Sequence, residues 1–342
     1  VCLYPKFIIN RKYIPNKKNK GNPPALKDER AKYVPIGCGK CMECKKQKSR
    51  GWQVRLHEEI RNNKCGKFVT LSFSEESLVH LEKDLNTIRI KIINILNKQE
   101  NKRYSKKYKP LEGYHLDNEL ATLATRRFLE RWRKEFKTSC KHWLVTELGQ
   151  LNTERIHIHG LIFTNETKQT ISDIWKYGNV WIGDYVNEQT INYIVKYIYK
   201  TDEKHKYYNP VILTSPKLGY NYINRNDSKL NKYNNKKTNE LYVTRTGIKL
   251  PLPIYYRNKI YTDEEKENLW LNLLDKNTRY INKIKINVAK GEDEYFKVLE
   301  EQRRINTLLG YGDNKIDWNK KHYEQEIRNV KKLERIAKQN NK

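Results

Sequence analysis

Two apolar runs and one alternating run along the chain have the signature of strands, and several longer segments repeat at helical spacing. From Ile156 to His159 apolar and polar residues alternate, and the run continues through Gly160-Leu161-Ile162-Phe163. Period-two alternation predicts a β-strand, with Ile156 and Ile158 turned to a core and His157 and His159 side by side on the other face. The apolar run Trp143-Leu144-Val145 leads through Thr146-Glu147-Leu148 into Gly149-Gln150-Leu151-Asn152-Thr153. A Gly/Asn-containing turn between two strand patterns predicts a hairpin over about residues 142–163. With its turn centred near Asn152, Glu147 lies opposite His157, and cross-strand partners share a face. Lys67-Phe68-Val69-Thr70-Leu71-Ser72-Phe73 predicts a further, buried strand.

Residues 45–62 predict a basic amphipathic helix that opens with Lys45, Lys46, Lys48 and Arg50 and carries Trp52, Leu56 and Ile60 on its apolar side. Its basic face suits DNA or plain solvent equally. Residues 120–137 predict a strong helix, with Leu123, Phe128, Leu129, Trp132 and Phe136 on the apolar side and Arg126, Arg127, Arg131 and Arg133 beside them. Ile191, Ile194, Val195 and Ile198 form a third helical core stripe. Tyr193 and Tyr197 stand one turn apart on another face of it, flanked by Lys196 and Lys200. Residues 75–118 read as an insertion with one or two helices and a lysine-rich connection near 97–110. Trp175, Trp181 and Gly183 fall in a loop region, and residues 1–35 look irregular. After Lys200 the chain is loop-rich. Thr246–Pro251 and Tyr255-Tyr256-Arg257 read as a basic DNA-facing segment or an ordinary loop. From Thr262 to Lys342 the period is helical, with Trp270, Leu273 and Leu274 facing a core, and the basic end from Lys320 reads as a frayed or DNA-induced helix. The order strand, helix, hairpin, helix predicts an α+β fold with helices packed on one face of a sheet.

Charge narrows the partner. The 342 residues carry 69 Lys and Arg against 40 Asp and Glu, a net +29, which implies a polyanion. A/T-rich coding accounts for lysine over arginine, but not for the excess of base over acid. Anionic membrane is the other polyanion to consider. No apolar run approaches the ~20 residues of a membrane span, and no signal peptide is visible. Aromatic residues interleaved with lysine suit single-stranded nucleic acid, where bases stack on rings and cations follow phosphates. Without a secretory signal the six cysteines are expected to be reduced. Cys38-Gly39-Lys40-Cys41-Met42-Glu43-Cys44 sets three thiolates at knuckle spacing, and Cys2 is available as a fourth. A four-cysteine structural zinc is the preferred reading, with free thiols as the alternative. A redox pair lacks the surrounding βαβ pattern.

Two imidazoles on one strand face make half of a divalent-metal site, and Glu147 is the natural third ligand. The plainer reading makes them polar residues on a solvated face, and the tyrosines part of a surface helix in a chain with 24 tyrosines. The ordered set speaks against it: the strand Phe68–Phe73, then His157 and His159, then Tyr193 and Tyr197 with Lys196 between. In that order these motifs resemble those of the replication initiators of microviruses, small single-stranded DNA phages, and most closely the gokushovirus type. Those proteins belong to the His-hydrophobic-His (HUH) endonuclease superfamily. The resemblance takes in the early cysteines and covers roughly residues 1–260. Relatives often carry Arg-Pro before the first histidine, where Glu154-Arg155-Ile156 stands here.

The resemblance implies an antiparallel sheet of about five strands with a central metal-binding hairpin. It divides the chain into a Cys-rich zinc element and basic helix over 1–66, an HUH endonuclease domain over 67–260 with the insertion near 75–118, and a charged helical region over 261–342. The implied activity is a rolling-circle initiator that nicks single-stranded or origin DNA through a tyrosine, forms a 5′-phosphotyrosine link and rejoins strands. Tyr193, Tyr197 and Lys196 are then catalytic. His157, His159 and Glu147 hold Mg²⁺ or Mn²⁺, and Cys2, Cys38, Cys41 and Cys44 hold Zn²⁺. Lys45, Lys46, Lys48, Arg50, Arg155 and Lys200 contact nucleic acid. Host polymerase and helicase become expected partners, and the host bacterial cytoplasm the expected location. An HUH relaxase or transposase shares the paired tyrosines. A zinc-stabilised nucleic-acid-binding protein without catalysis is the alternative from another class. A zinc deaminase needs His-x-Glu ahead of Cys-x-x-Cys, and here the cysteines come first.

Overall fold

The predicted hairpin lies at the middle of the principal sheet. The structure is a computed structural model and describes residues 2–99, 107–149, 154–183, 185–202 and 204–340. In chain order its elements are β1 (Lys6–Ile9), β2 (Tyr33–Ile36), α1 (Met42–Asn62), β3 (Gly66–Leu71), α2 (Glu75–Gln99), α3 (Gly113–Phe136), β4 (Lys141–Leu148), β5 (Ile156–Phe163), α4 (Lys168–Trp175), β6 (Val180–Gly183), α5 (Glu188–Ile194), α6 (Lys196–Tyr199), β7 (Ile212–Thr214), β8 (Leu241–Val243), β9 (Lys249–Pro251), α7 (Ile254–Ile260), α8 (Asp263–Leu274), β10 (Thr278–Ile281), β11 (Ile284–Asn287), α9 (Asp293–Leu308) and α10 (Trp318–Asn340), with short 3-10 turns between some of them. The turn residues Gln150 to Thr153 lie outside the described residues, as does most of the lysine-rich connection, 100–106.

The chain divides into two compact units. One comprises Val1–Glu59, Ile198–Lys206 and Gly219–Ile316, and the other Ile60–Tyr197, Tyr207–Leu218 and Asp317–Lys342. Each is assembled from separated stretches, so the division differs from the consecutive segments 1–66, 67–260 and 261–342.

The unit around Ile60–Tyr197 holds a five-stranded antiparallel sheet in the order β6-β3-β5-β4-β7. Its register sorts side chains by face. Val69, Leu71, Leu144, Leu148, Ile156, Ile158 and Ile162 share a core with Leu81 and Leu85 of α2, Ala124, Phe128 and Trp132 of α3, and Ile171 and Trp175 of α4. Burying each large apolar side chain contributes about 1.5–3 kcal/mol, and a one-residue slip of a strand would forfeit its whole set. Gly160 lets β4 and β5 approach, since a Cβ there would lie 2.3 Å from the Trp143 carbonyl oxygen.

Several expectations need correction here. Trp175 closes helix α4, and Trp181 and Gly183 lie in strand β6 rather than in a loop. Arg131 donates to the Ile174 and Trp175 carbonyls at 2.7 Å each, satisfying the end of α4, and Arg127 pairs with Asp84 at 2.6 Å. The C-terminal helix is docked along its length rather than frayed. Arg328 donates to Asp117 through Nε at 2.7 Å and Nη2 at 3.1 Å, Arg335 reaches Glu75 at 3.1 Å, and Lys332 meets Glu82.

The other unit has two small cores. Leu3, Cys41, Met42, Ile281, Ile286 and Leu299 form one, and Val54, Tyr222, Tyr242, Leu252, Tyr256, Tyr261 and Leu269 the other. The β1–β2 pair and the β10–β11 hairpin replace the irregular and purely helical stretches expected there. Leu269, not Leu273, is the buried leucine of α8, and Leu273 is exposed. Tyr256 is fully buried and donates to the Gly219 carbonyl at 2.7 Å, so it cannot face DNA. Buried Glu58 explains part of the α1 pattern: it accepts from Arg225 at 2.7 Å and from Tyr242 Oη at 2.5 Å.

Candidate active site

The face of the sheet opposite the helical core carries the candidate chemistry. Glu147 of β4 pairs across from His157 of β5, and Thr70 of β3 pairs across from His159. Thus Thr70, Glu147, His157 and His159 emerge together from three adjacent strands. Glu147 Oε2 lies 3.2 Å from His157 Nε2 and 2.9 Å from His159 Nε2. One ligand atom from each of the three falls within 4.8 Å of the others, close enough to hold one metal ion. His157 Nδ1 contacts the Arg155 carbonyl at 3.2 Å. A carbonyl only accepts, so Nδ1 is the protonated nitrogen of a neutral ring and Nε2 keeps its lone pair for a ligand. His159 Nδ1 bonds the Thr70 hydroxyl at 3.0 Å, which fixes the second ring in the same sense.

Tyr193 and Tyr197 close the site from α5 and α6. Asn187 and Thr190 form a capping box that starts α5, and Ile191 and Ile194 anchor its buried side. The tyrosine segment is not one unbroken helix. α5 ends at Ile194 and α6 starts at Lys196, although Val195 between them keeps helical dihedrals. The Tyr197 ring stacks on His159 with centroids 4.5 Å apart and planes within 1°. Its hydroxyl bonds that of Tyr193 at 3.0 Å. Burial, the bond to Tyr193 and the charge of Glu147 push the Tyr197 phenol above its usual range. That direction is opposite to activation by Lys196, whose Nζ lies 5.8 Å from the centre of the Tyr193 ring.

The remaining basic candidates have separate positions. Arg155 donates to the Phe73 carbonyl at 2.8 Å and lies 3.4 Å from Glu75, so its guanidinium is engaged within the fold. Lys45 sits 5.8 Å from the Tyr311 ring centre, and Lys46 bonds Asn282 at 3.3 Å. Lys48 and Lys200 are exposed, and Arg50 is half-buried. Sequence reading had no means of singling out Thr70, because its role depends on its register against His159. Phe68, Trp181 and Tyr185 also line the groove beside the histidines.

In the other unit, the sulfurs of Cys2, Cys38, Cys41 and Cys44 lie within 4.8 Å of one another. Cys2–Cys41 and Cys38–Cys44 are each 3.9 Å apart. This is far beyond a disulfide bond of ~2.05 Å. It is close to the ~3.8 Å edge of a tetrahedron with ~2.3 Å zinc–sulfur bonds. Backbone amides of Tyr4 and Cys38 point at the Cys2 sulfur, at 3.3 and 3.2 Å, and that of Cys41 at the Cys38 sulfur, at 3.3 Å. Amide donors of this kind favour thiolate over thiol. The four residues therefore fit a tetrahedral soft-metal site.

A family model described as replication-associated protein ORF2/gene 2 protein matches residues 108–202. That span contains Glu147, both histidines and both tyrosines. The chain is also similar to the replication-associated protein VP4 of Bdellovibrio phage phiMH2K, with 27% identity over 232 residues. The match covers 65% of this chain and 66% of the phage protein, just under two thirds of its length. No solved structure matches significantly, and no helix among the described residues is long and apolar enough to cross a membrane. The two matches support a role in phage replication, and with the ordered motifs they support a microvirus replication initiator as the kind of protein this chain is.

Proposed function

We propose that the chain is a rolling-circle initiator of the HUH endonuclease kind, which nicks single-stranded origin DNA and holds the new 5′ end on a tyrosine. The observation that carries this reading is the stacking of Tyr197 on His159, with the Tyr193 hydroxyl 3.0 Å from that of Tyr197. A nucleophile pair thus stands directly against a metal-competent triad. In the reaction a tyrosine Oη attacks phosphorus in line. The phosphorus–O3′ bond breaks, the 3′ oxygen leaves and takes a proton, and the phosphate remains as a 5′ ester of the tyrosine. The free 3′-OH can then prime a host polymerase, with a helicase opening the duplex ahead. Attack of a 3′-OH on the ester reverses the step and rejoins the strand.

Glu147, His157 and His159 would hold a divalent ion, and their mixed imidazole and carboxylate donors suit Mn²⁺ or Mg²⁺. Such an ion, when bound, supplies Lewis-acid charge to the scissile phosphate. Thr70 and the Arg155 carbonyl orient the two rings. The four cysteines would hold Zn²⁺ in a closed, structural site, which leaves no position for substrate.

The test is incubation of zinc-replete protein with Mn²⁺ and single-stranded DNA drawn from the replicon that encodes it, followed by a denaturing gel. A covalent adduct is expected from the wild type and from neither the Tyr193→Phe/Tyr197→Phe double variant nor His157→Ala. A salt-sensitive gel shift with no adduct would instead favour a zinc-stabilised binding protein.

A further inference from the structure

Beside the triad the sheet face continues into an open aromatic groove of about 610 Å³. Phe68, Trp181, Tyr185 and Tyr193 supply its rings, and Thr190 and Gln189 its polar rim. Trp181 dominates it. Trp181 pairs with Thr70, and Thr70 with His159, so the three lie in a row across adjacent strands. Two strand spacings of ~4.8 Å put the Trp181 backbone about 10 Å from that of His159, within the reach of one nucleotide whose phosphate lies at the triad. The indole is 55% exposed, a large apolar plane left open to solvent on a highly basic chain. It is nevertheless held in place. Phe68 meets it edge-on at 5.6 Å, and a Cβ at Gly183 would lie 3.2 Å from the ring. Only glycine leaves that contact unstrained, so the indole can lie along the strand.

We propose that Trp181 is a stacking platform for one unpaired base flanking the scissile phosphate. The inference rests on the function proposed above for the position of that phosphate. The occupant is a nucleobase rather than an apolar peptide, because the groove joins exposed aromatic planes to hydrogen-bonding groups on a polycationic protein, the combination by which single strands are held. A base within a duplex has no free face to offer, so this contact selects single-stranded substrate.

Reversible binding without divalent metal separates the platform from the chemistry. The probes are a short oligo(dT) and an abasic oligomer of the same length and charge, with binding measured by fluorescence anisotropy at fixed salt. Trp181→Ala should weaken oligo(dT) binding by roughly 5- to 150-fold, the range expected for one lost stack, and leave abasic binding unchanged. Trp181→Phe should retain most of the difference. At saturating DNA the Trp181→Ala adduct rate should stay within a few-fold of wild type. Equal weakening toward both probes, or none toward either, would overturn the platform. Absence of any adduct from the wild type, with the oligo(dT) preference still dependent on Trp181, would overturn the nickase reading and leave a base-binding groove.

Discussion

Replacing Thr70 with valine tests how the site is oriented. The substitution swaps a hydroxyl for a methyl of similar size in a strand that favours β-branched residues, so the backbone has no reason to move. It removes the 3.0 Å bond to His159 Nδ1. A neutral hydrogen bond is worth about 0.5–1.5 kcal/mol net. Loss of an orienting partner behind a metal ligand costs about 10- to 100-fold in metal affinity, or ~1.4–2.7 kcal/mol at 1.36 kcal/mol per decade. The upper part of that range exceeds the bond itself, because the ring also becomes free to change tautomer. His157 keeps its Arg155 carbonyl contact at 3.2 Å, so the site is weakened and not abolished. Calorimetric titration of zinc-replete, DNA-free protein with Mn²⁺ should show the dissociation constant rising about 10- to 100-fold, and adduct formation should recover at saturating Mn²⁺. Thr70→Ser, which retains the hydroxyl, should restore most of the affinity. Unchanged Mn²⁺ affinity in Thr70→Val, or an equal loss in Thr70→Ser, would refute the reasoning.

Other perturbations probe the scaffold. Cys41→Ser should reduce bound zinc from one ion per chain and lower hydrogen-exchange protection in β10–β11, whose Ile281 and Ile286 share a core with Cys41; full zinc content would rule out the four-sulfur site. Asp117→Ala leaves the Arg328 guanidinium, 3% exposed, without its carboxylate, and should cost about 3–5 kcal/mol in urea unfolding, whereas Asp117→Leu with Arg328→Met should recover most of it. Burial lowers the His142 pKa from 6.5. Below pH 6.5 the unfolded chain therefore binds more protons than the folded one, and stability should fall with pH from there down to the folded pKa. His142→Asn should flatten that part of the unfolding profile.

Local pattern was enough for the centre of the protein. Alternation over Ile156–His159 and the turn arithmetic about Asn152 anticipated strand β5 and the pairing of Glu147 with His157, because period two dictates faces and a short hairpin leaves little choice of register. Cysteine spacing likewise anticipated the sulfur cluster, since three of its members are local and only Cys2 comes from a distance. The β10–β11 hairpin escaped notice: its turn carries Asn282 and Lys283 at positive φ, where sequence signals favour Asn-Gly, and charged neighbours masked its alternation. Trp181 read as loop for a similar reason, in a four-residue strand too short to display a period. In the one-dimensional pattern the arginines of α3 and α10 are simply charges on basic helices. Their partners Asp84, Asp117 and Glu75 lie 43, 211 and 260 residues away, so only chain folding decides that those charges are internal. The same holds for Thr70, 89 residues from His159. Composition determines that the protein is a polycation with aromatic surface; which cations and rings remain available to a strand of DNA is decided by tertiary contacts, because a buried or paired charge is no longer free to meet a phosphate.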